Sequence, residues 1–271
     1  MRIYKGGDPT ETPTRISGSY MGEAFTGKTH NLCTWHTKDG VVLLVAFDPD
    51  TGCARSMPNT VVLEVESWKE FEQDVMPYVR ARELAKLIKD KAGIDAKVDT
   101  LAIDTISIAA TRCQTEIQGT KNQMTQQDWG LLLNRMTATT MQCIDITRQY
   151  QEGQPTYHCL FSSHLKTETS DGGGVVGYRP AVAGQFKDIF PRLGGFSFVC
   201  KQSITQGLKD GKAVQTRTFY VHTCPPSEMY ICGDRIGGEG KLYKPLAPTM
   251  LGTYPALMEA WGMDPEPSPA K

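Results

Sequence analysis

Residues 22–29 read Gly-Glu-Ala-Phe-Thr-Gly-Lys-Thr, so two fixed glycines are followed at once by a lysine and a threonine. Each fixed position has a task if the ligand is a chain of phosphates. Gly22 and Gly27 let the backbone turn tightly and aim its N–H groups at phosphate oxygens. Lys28 reaches the outer phosphates as a point charge, and Thr29 offers a hydroxyl to Mg²⁺. Gly22, Glu23, Ala24, Phe25, Thr26, Gly27, Lys28, Thr29 and His30 are therefore the expected nucleotide-contacting segment.

Such a loop needs a second metal contact. Asp104 ends the apolar run Leu101-Ala-Ile, and an acid at a strand tip can hold a Mg²⁺ water shell beside Thr29. Asp99 opens the same run and reads as a turn residue at the opposite sheet edge. Hydrolysis also needs a group that orients the attacking water. Asp48 and Asp50 follow the apolar run Val41–Phe47, in a strand expected to lie beside the loop's own active edge. The segment Asp48-Pro-Asp-Thr-Gly52 is also strong turn chemistry.

The positioning elements follow from periodicity. Residues 15–21 form a strand that delivers the chain into the loop, and a short helix runs from Lys28 to about Trp35. Runs at 41–47, 61–65, 99–104 and 157–163 have the length and composition of buried parallel strands. Ser67-Trp-Lys-Glu70 is a capping box for a helix towards Lys91, with a break expected at Pro77. Thr125 caps a helix to about Tyr150. Residues 166–184 lack core periodicity and read as a mobile loop or thin hairpin. A short helix near 182–190, a strand at 196–200, a hairpin turn at Lys209–Lys212 and a returning strand at 218–222 complete the core. Strands alternating with helices imply a mostly parallel sheet flanked by helices, with antiparallel C-terminal strands. The expected divisions are an arm at 1–14, one domain at 15–262 and a disordered Pro-rich tail at 263–271.

The bulk properties set limits. The chain has 271 residues and a formal net charge of −1, so no global basic field announces nucleic acid or membrane. Apolar runs are too short for a membrane span. The eight cysteines form no C-x-x-C pair and several sit in apolar runs, which suits a reducing cytoplasm.

The order of these features resembles the compact RecA-like P-loop ATPases of bacteriophages, often described as AAA-family ATP-binding proteins. Some of these act in single-strand annealing or recombination. Further matches are Pro180-x-x-x-Gly184 and Gly233-Asp-Arg-x-Gly237, and the resemblance spans about residues 15–255. It implies an α/β RecA-like P-loop NTPase core that binds ATP and Mg²⁺. Asp50 matches the second acid of the family's Ile-Asp-x-Glu and would be the base, about 1.5 Å shorter than glutamate; Asp48 would assist. His164 matches the residue that senses the γ-phosphate. Arg235 matches an arginine that reaches a neighbour's γ-phosphate, although Gly233 replaces the accompanying lysine, and this implies a ring or filament. Two loops would hold single-stranded DNA through Arg112 and Lys121, and through Lys166, Tyr178 and Arg179. The implied function is a DNA-stimulated ATPase in recombination or annealing, with a single-strand-binding or replication protein as a further partner. The alternative is a P-loop ATPase acting on protein partners, a helicase loader or nucleotide switch. Residues after 200 read as strands and loops rather than lid helices, which counts against it.

Overall fold

The apolar runs become the centre of one sheet. The computed structural model describes residues 15–209, 212–227, 230, 232–236 and 246–263. The expected arm at 1–14, the tail from 264 and the tip of the Lys209–Lys212 turn lie outside the described residues. The elements are, in order, β1 (Ser17–Gly22), α1 (Lys28–Cys33), β2 (Gly40–Ala46), α2 (Gly52–Arg55), β3 (Thr60–Glu64), α3 (Trp68–Glu70), α4 (Met76–Ala81), α5 (Leu84–Ala92), β4 (Lys97–Asp104), α6 (Ile106–Gln118), α7 (Gln126–Asp145), β5 (His158–Thr169), β6 (Val175–Pro180), α8 (Phe186–Ile189), β7 (Phe196–Lys209), β8 (Lys212–His222), β9 (Gly233–Asp234), β10 (Thr249–Met250) and α9 (Tyr254–Trp261).

The strand order is β10-β8-β7-β1-β5-β4-β2-β3. From β7 to β3 every pairing is parallel, while β6, β8, β9 and β10 join antiparallel. Parallel strands with helices on both faces need apolar residues on both sides, which is why Val42 to Ala46 is buried without alternation. One face packs Leu43, Phe161, Trp68, Phe71 and Met136; the other packs Tyr20, Leu32, Trp35, Phe198 and Trp261. Among the described residues, no helix is long and apolar enough to cross a membrane.

Four expectations need correction. First, β2 does not neighbour β1, because β5 and β4 lie between them. Second, the helix opened by Ser67 does not break at Pro77. It passes through a π-helical turn at Phe71–Val75, and Pro77 sits in the first turn of α4, where its missing N–H costs nothing. The break comes at Arg82 (φ 58°), whose buried guanidinium donates to the carbonyls of Asp145, Ile146, Arg148 and Pro155. Third, Asp99 is a fully buried acceptor inside β4, taking the N–H and hydroxyl of Thr37 at 2.7 and 2.6 Å. Fourth, a helix follows residue 200 after all: α9 places Tyr254, Leu257, Met258 and Trp261 on its buried side.

His158 at the start of β5 carries a pH-dependent part of the stability. Its ring lies 5.3 Å from that of Trp35 and 5.6 Å from that of Tyr254. The Ile16 N–H donates to Nδ1 at 3.1 Å, and the Arg15 guanidinium is 3.1 Å from Nε2. Burial, and then the Arg15 charge, push its pKa down to about 3 from 6.5. The unfolded chain therefore takes up a proton near pH 6.5 that the folded chain refuses. Stability is full above that pH and falls below it, by up to about 1.4 kcal/mol per pH unit, until the folded pKa is reached. Urea titrations from pH 7 to 4.5 should show a shallower loss for His158→Gln than for wild type. Equal slopes would clear His158 of this role.

Candidate active site

The phosphate loop leaves β1 at Gly22. A Cβ there would lie 2.5 Å from the Thr26 hydroxyl and 2.9 Å from the Cys200 carbonyl, so only glycine fits. Gly27 adopts φ 84° just before α1, which again favours glycine. Lys28 is buried, and its Nζ donates to the Gly22 and Glu23 carbonyls at 3.1 and 2.6 Å. Burial holds its pKa below the ordinary lysine value, while Cys200, Asp104 and Asp48 pull it back up.

β4 brings Asp104 to the same edge. Its Oδ2 accepts the Thr29 hydroxyl at 2.6 Å, and its Oδ1 accepts the hydroxyl of Ser162 on β5. Burial raises the Asp104 pKa, opposed by the two hydroxyls and the Lys28 charge. Thr29 and Asp104 thus present paired hard oxygen donors. Among the described residues, no group of three or more His, Cys, Asp or Glu side chains could hold a metal alone. Two oxygens fit Mg²⁺, which takes its other ligands from water and substrate phosphates.

The two acids after β2 separate. The Phe47 N–H donates to the Asp104 carbonyl at 2.7 Å, which sets the end of β2 against the end of β4. Asp48 is half-buried, and its carboxylate raises the pKa values of Lys28, Asp104 and His164. Asp50 is exposed; its N–H donates to Asp48 Oδ1 at 3.0 Å. It bears instead on the Cys53 thiol, pushed up by burial first, then by Asp104 and Asp50. Both acids line the cleft, and Asp48 is the one whose charge bears on Lys28, Asp104 and His164.

His164 lies beside Gly22 in the β1–β5 register. Its N–H donates to Ser107 Oγ at 3.0 Å, and Ser107 and Ser163 share a 3.1 Å hydrogen bond. Burial, then the Lys28 charge, lower its pKa, opposed by Asp48 and Asp104. The loop residues 24–30, Asp48, Asp50, Asp104 and His164 line one cleft of about 630 Å³. Cys53 and Thr105 also line it, and β8 adds Arg217 and Phe219, which sequence reasoning missed. Their shared parity on a strand was visible; the long ribbon that carries them past the loop was not.

Other expected site residues are engaged elsewhere. Arg112 donates to the carbonyls of Phe47 and Val65, tying the ends of β2 and β3. Lys121 pairs with Asp128 at 2.6 Å, inside the capping box of α7. Of the two readings of residues 166–184, the thin hairpin is the one observed: β5 continues through Thr169 and pairs with β6, setting Lys166 opposite Arg179. Arg179 lies within 4 Å of both Glu168 and Asp188. Tyr178 stacks on Tyr230 at 4.3 Å, with Lys201 Nζ 5.9 Å from its centroid and 5.4 Å from that of Tyr230. Lys166 is exposed on the same hairpin. Arg235 is not part of the cleft. It sits with Ser17 at the opposite end of β1, and its guanidinium donates to the Arg192 and Gly194 carbonyls.

Comparison with known proteins adds the following. The family described as "AAA domain" matches residues 15–218. No curated protein sequence matches. Among solved structures, the chain is similar to the P4 protein from bacteriophage phi6 in complex with ADP, with 10% identity and a TM-score of 0.30. The match covers 74% of this chain and 57% of that one.

Proposed function

Because the chain belongs to the AAA domain family of P-loop ATPases, we propose that it is a Mg²⁺-dependent ATPase that works on single-stranded DNA as an oligomer, in recombination or strand annealing. Lys28 would leave its loop carbonyls for the outer phosphates. Thr29 and Asp104 would hold Mg²⁺, which neutralises charge on the phosphate oxygens. Asp48 would orient the attacking water, with Asp50 as the accessory acid. What supports this order is the reach of the Asp48 carboxylate to Lys28, Asp104 and His164.

The observation that carries the DNA reading is the continuity of β5. The strand passes Ser162, which binds Asp104, and His164, which lies beside Gly22, and runs on unbroken into the Lys166 hairpin. A change at the γ-phosphate is thereby one strand away from a hairpin that carries Lys166 on one face and, beside Lys201, the Tyr178–Tyr230 stack on the other. Cations beside aromatic faces suit single strands.

Saturating single-stranded DNA should raise ATP turnover about tenfold or more, with binding that weakens steeply as salt rises. A mass measurement with ATP bound should give a multimer. Unchanged turnover together with no binding at low salt would refute the DNA reading. A second reading then stands on the exposed apolar residues Trp129, Leu131, Val175, Val176 and Ile204: an ATPase acting on a protein partner, as a helicase loader or nucleotide switch.

A further inference from the structure

The pairing of β7 with β1 ends at Val199, and β7 continues with β8 as a two-stranded ribbon from Val199↔His222 to Lys209↔Lys212. Opposite residues of an antiparallel pair share a face, as do residues two apart on one strand. Cys200, Val221, Phe219 and Arg217 therefore share one face. That face looks at the phosphate loop and its helix. The Asn31 amide of α1 donates to Cys200 Sγ at 3.8 Å, and a Cβ on Gly27 would lie 3.3 Å from the Phe219 ring. One step further out, Arg217 lines the same cleft as Lys28, Asp48, Asp50 and Asp104.

Arg217 is exposed there and, among the described residues, its guanidinium has no hydrogen-bond or ion-pair partner. Other arginines of the chain are engaged. Arg82, Arg112 and Arg235 donate to backbone carbonyls, and Arg179 lies within 4 Å of Glu168 and Asp188. The charges lining the cleft are two cations, Lys28 and Arg217, against three carboxylates, Asp48, Asp50 and Asp104. A phosphate chain that enters beside carboxylates gains from every cation in reach. A guanidinium adds a planar fork of N–H donors matched to phosphate oxygens.

We infer that Arg217 binds the phosphate chain of the nucleotide held in its own subunit, its guanidinium donating to non-bridging oxygens while Lys28 approaches from the loop. The contact needs no neighbour. Arg235, expected to reach another subunit's γ-phosphate, sits at the opposite end of β1 with its guanidinium on carbonyls. The described ladder of the ribbon has no register shift, so it presents Arg217 at a set place over the cleft. The inference rests on the nucleotide reading above and adds to it a residue that holds the phosphates.

Equilibrium titration of the full chain with ATP and with inorganic tripolyphosphate, both with Mg²⁺, tests it. Arg217→Ala should weaken both ligands alike, by about tenfold or more, the loss expected for a charge-assisted hydrogen bond. Thr218→Ala, on the other face of the same strand, should bind both as wild type does and so reports on the ribbon's fold. Adding Lys28→Ala chains to Arg217→Ala chains should leave turnover at limiting ATP unchanged, because each site lacks a residue of its own subunit. Arg217→Ala within about twofold of wild type for both ligands, or weakened for ATP but not for tripolyphosphate, would overturn the inference alone. A rise in turnover on mixing would overturn the assignment to one subunit. Wild-type protein that bound neither ATP nor tripolyphosphate would overturn the nucleotide reading, and this inference with it.

Discussion

Lys28→Ala should lower ATP turnover by about a thousandfold or more and weaken nucleotide binding. A buried ammonium that leaves its loop carbonyls for the outer phosphates would stabilise charge that grows in the transition state, and loss of about 4 kcal/mol there corresponds to that factor. Lys28 is the cation of the phosphate loop itself; Arg217 reaches the cleft from β8, and Arg235 is held by carbonyls at the far end of β1. Folding should survive, because Lys28 itself suffers from burial: its pKa is lowered mainly by desolvation. The alanine variant should therefore melt within a few degrees of wild type, while phosphate release and ATP titration show the loss. Turnover within tenfold of wild type would remove Lys28 from the chemistry. Lys28→Arg should not rescue, since the space between the Gly22 and Glu23 carbonyls is fitted to one ammonium.

Asp48→Asn should keep ATP binding and cut kcat by about 10²–10⁴-fold, the range expected when a positioned general base is removed. Asp50→Asn should cost less than about tenfold. The contrast follows from placement: Asp48 is half-buried beside the end of β4, while Asp50 is exposed. The carboxamide keeps the shape of the turn, because Asn Oδ1 can still accept the Asp50 N–H. A fall in kcat without a rise in KM would thus report lost chemistry rather than a lost fold. If Asp50→Asn were the crippled variant and Asp48→Asn near normal, the base assignment would pass to Asp50.

The features that were legible in the sequence are those dictated by neighbours along the chain. The runs at Val41–Phe47 and Leu101–Asp104 had to be buried strands, and Asp104 had to fall at a strand tip. The Thr125–Asp128 capping box formed as read. The spacing of Tyr254, Leu257, Met258 and Trp261, with Pro255 in the first turn and Gly262 at the end, also marks α9. Contacts distant in sequence were not legible. A charge on Arg112 says nothing about the carbonyls of Phe47 and Val65 that its guanidinium satisfies. The order of Asp48 and Asp50 depends on how one turn leans against Asp104, and composition does not encode that lean. The extended ribbons lacked a buried face, so alternation could not mark them.

The strand β7 is unbroken from Phe196 to Lys209, and its first residues are paired with β1. Closing lids swing on a few residues that absorb a change in φ and ψ. The described ladder between β7 and β8 has no register shift to serve as such a hinge. The wall bearing Phe219 is therefore continuous with the sheet and has no hinge of its own among the described residues. Amide hydrogens at the root of the ribbon, from Lys201 to Ser203, should then exchange together with those of the sheet edge, so their protection gauges the integrity of the core and not the occupancy of the cleft.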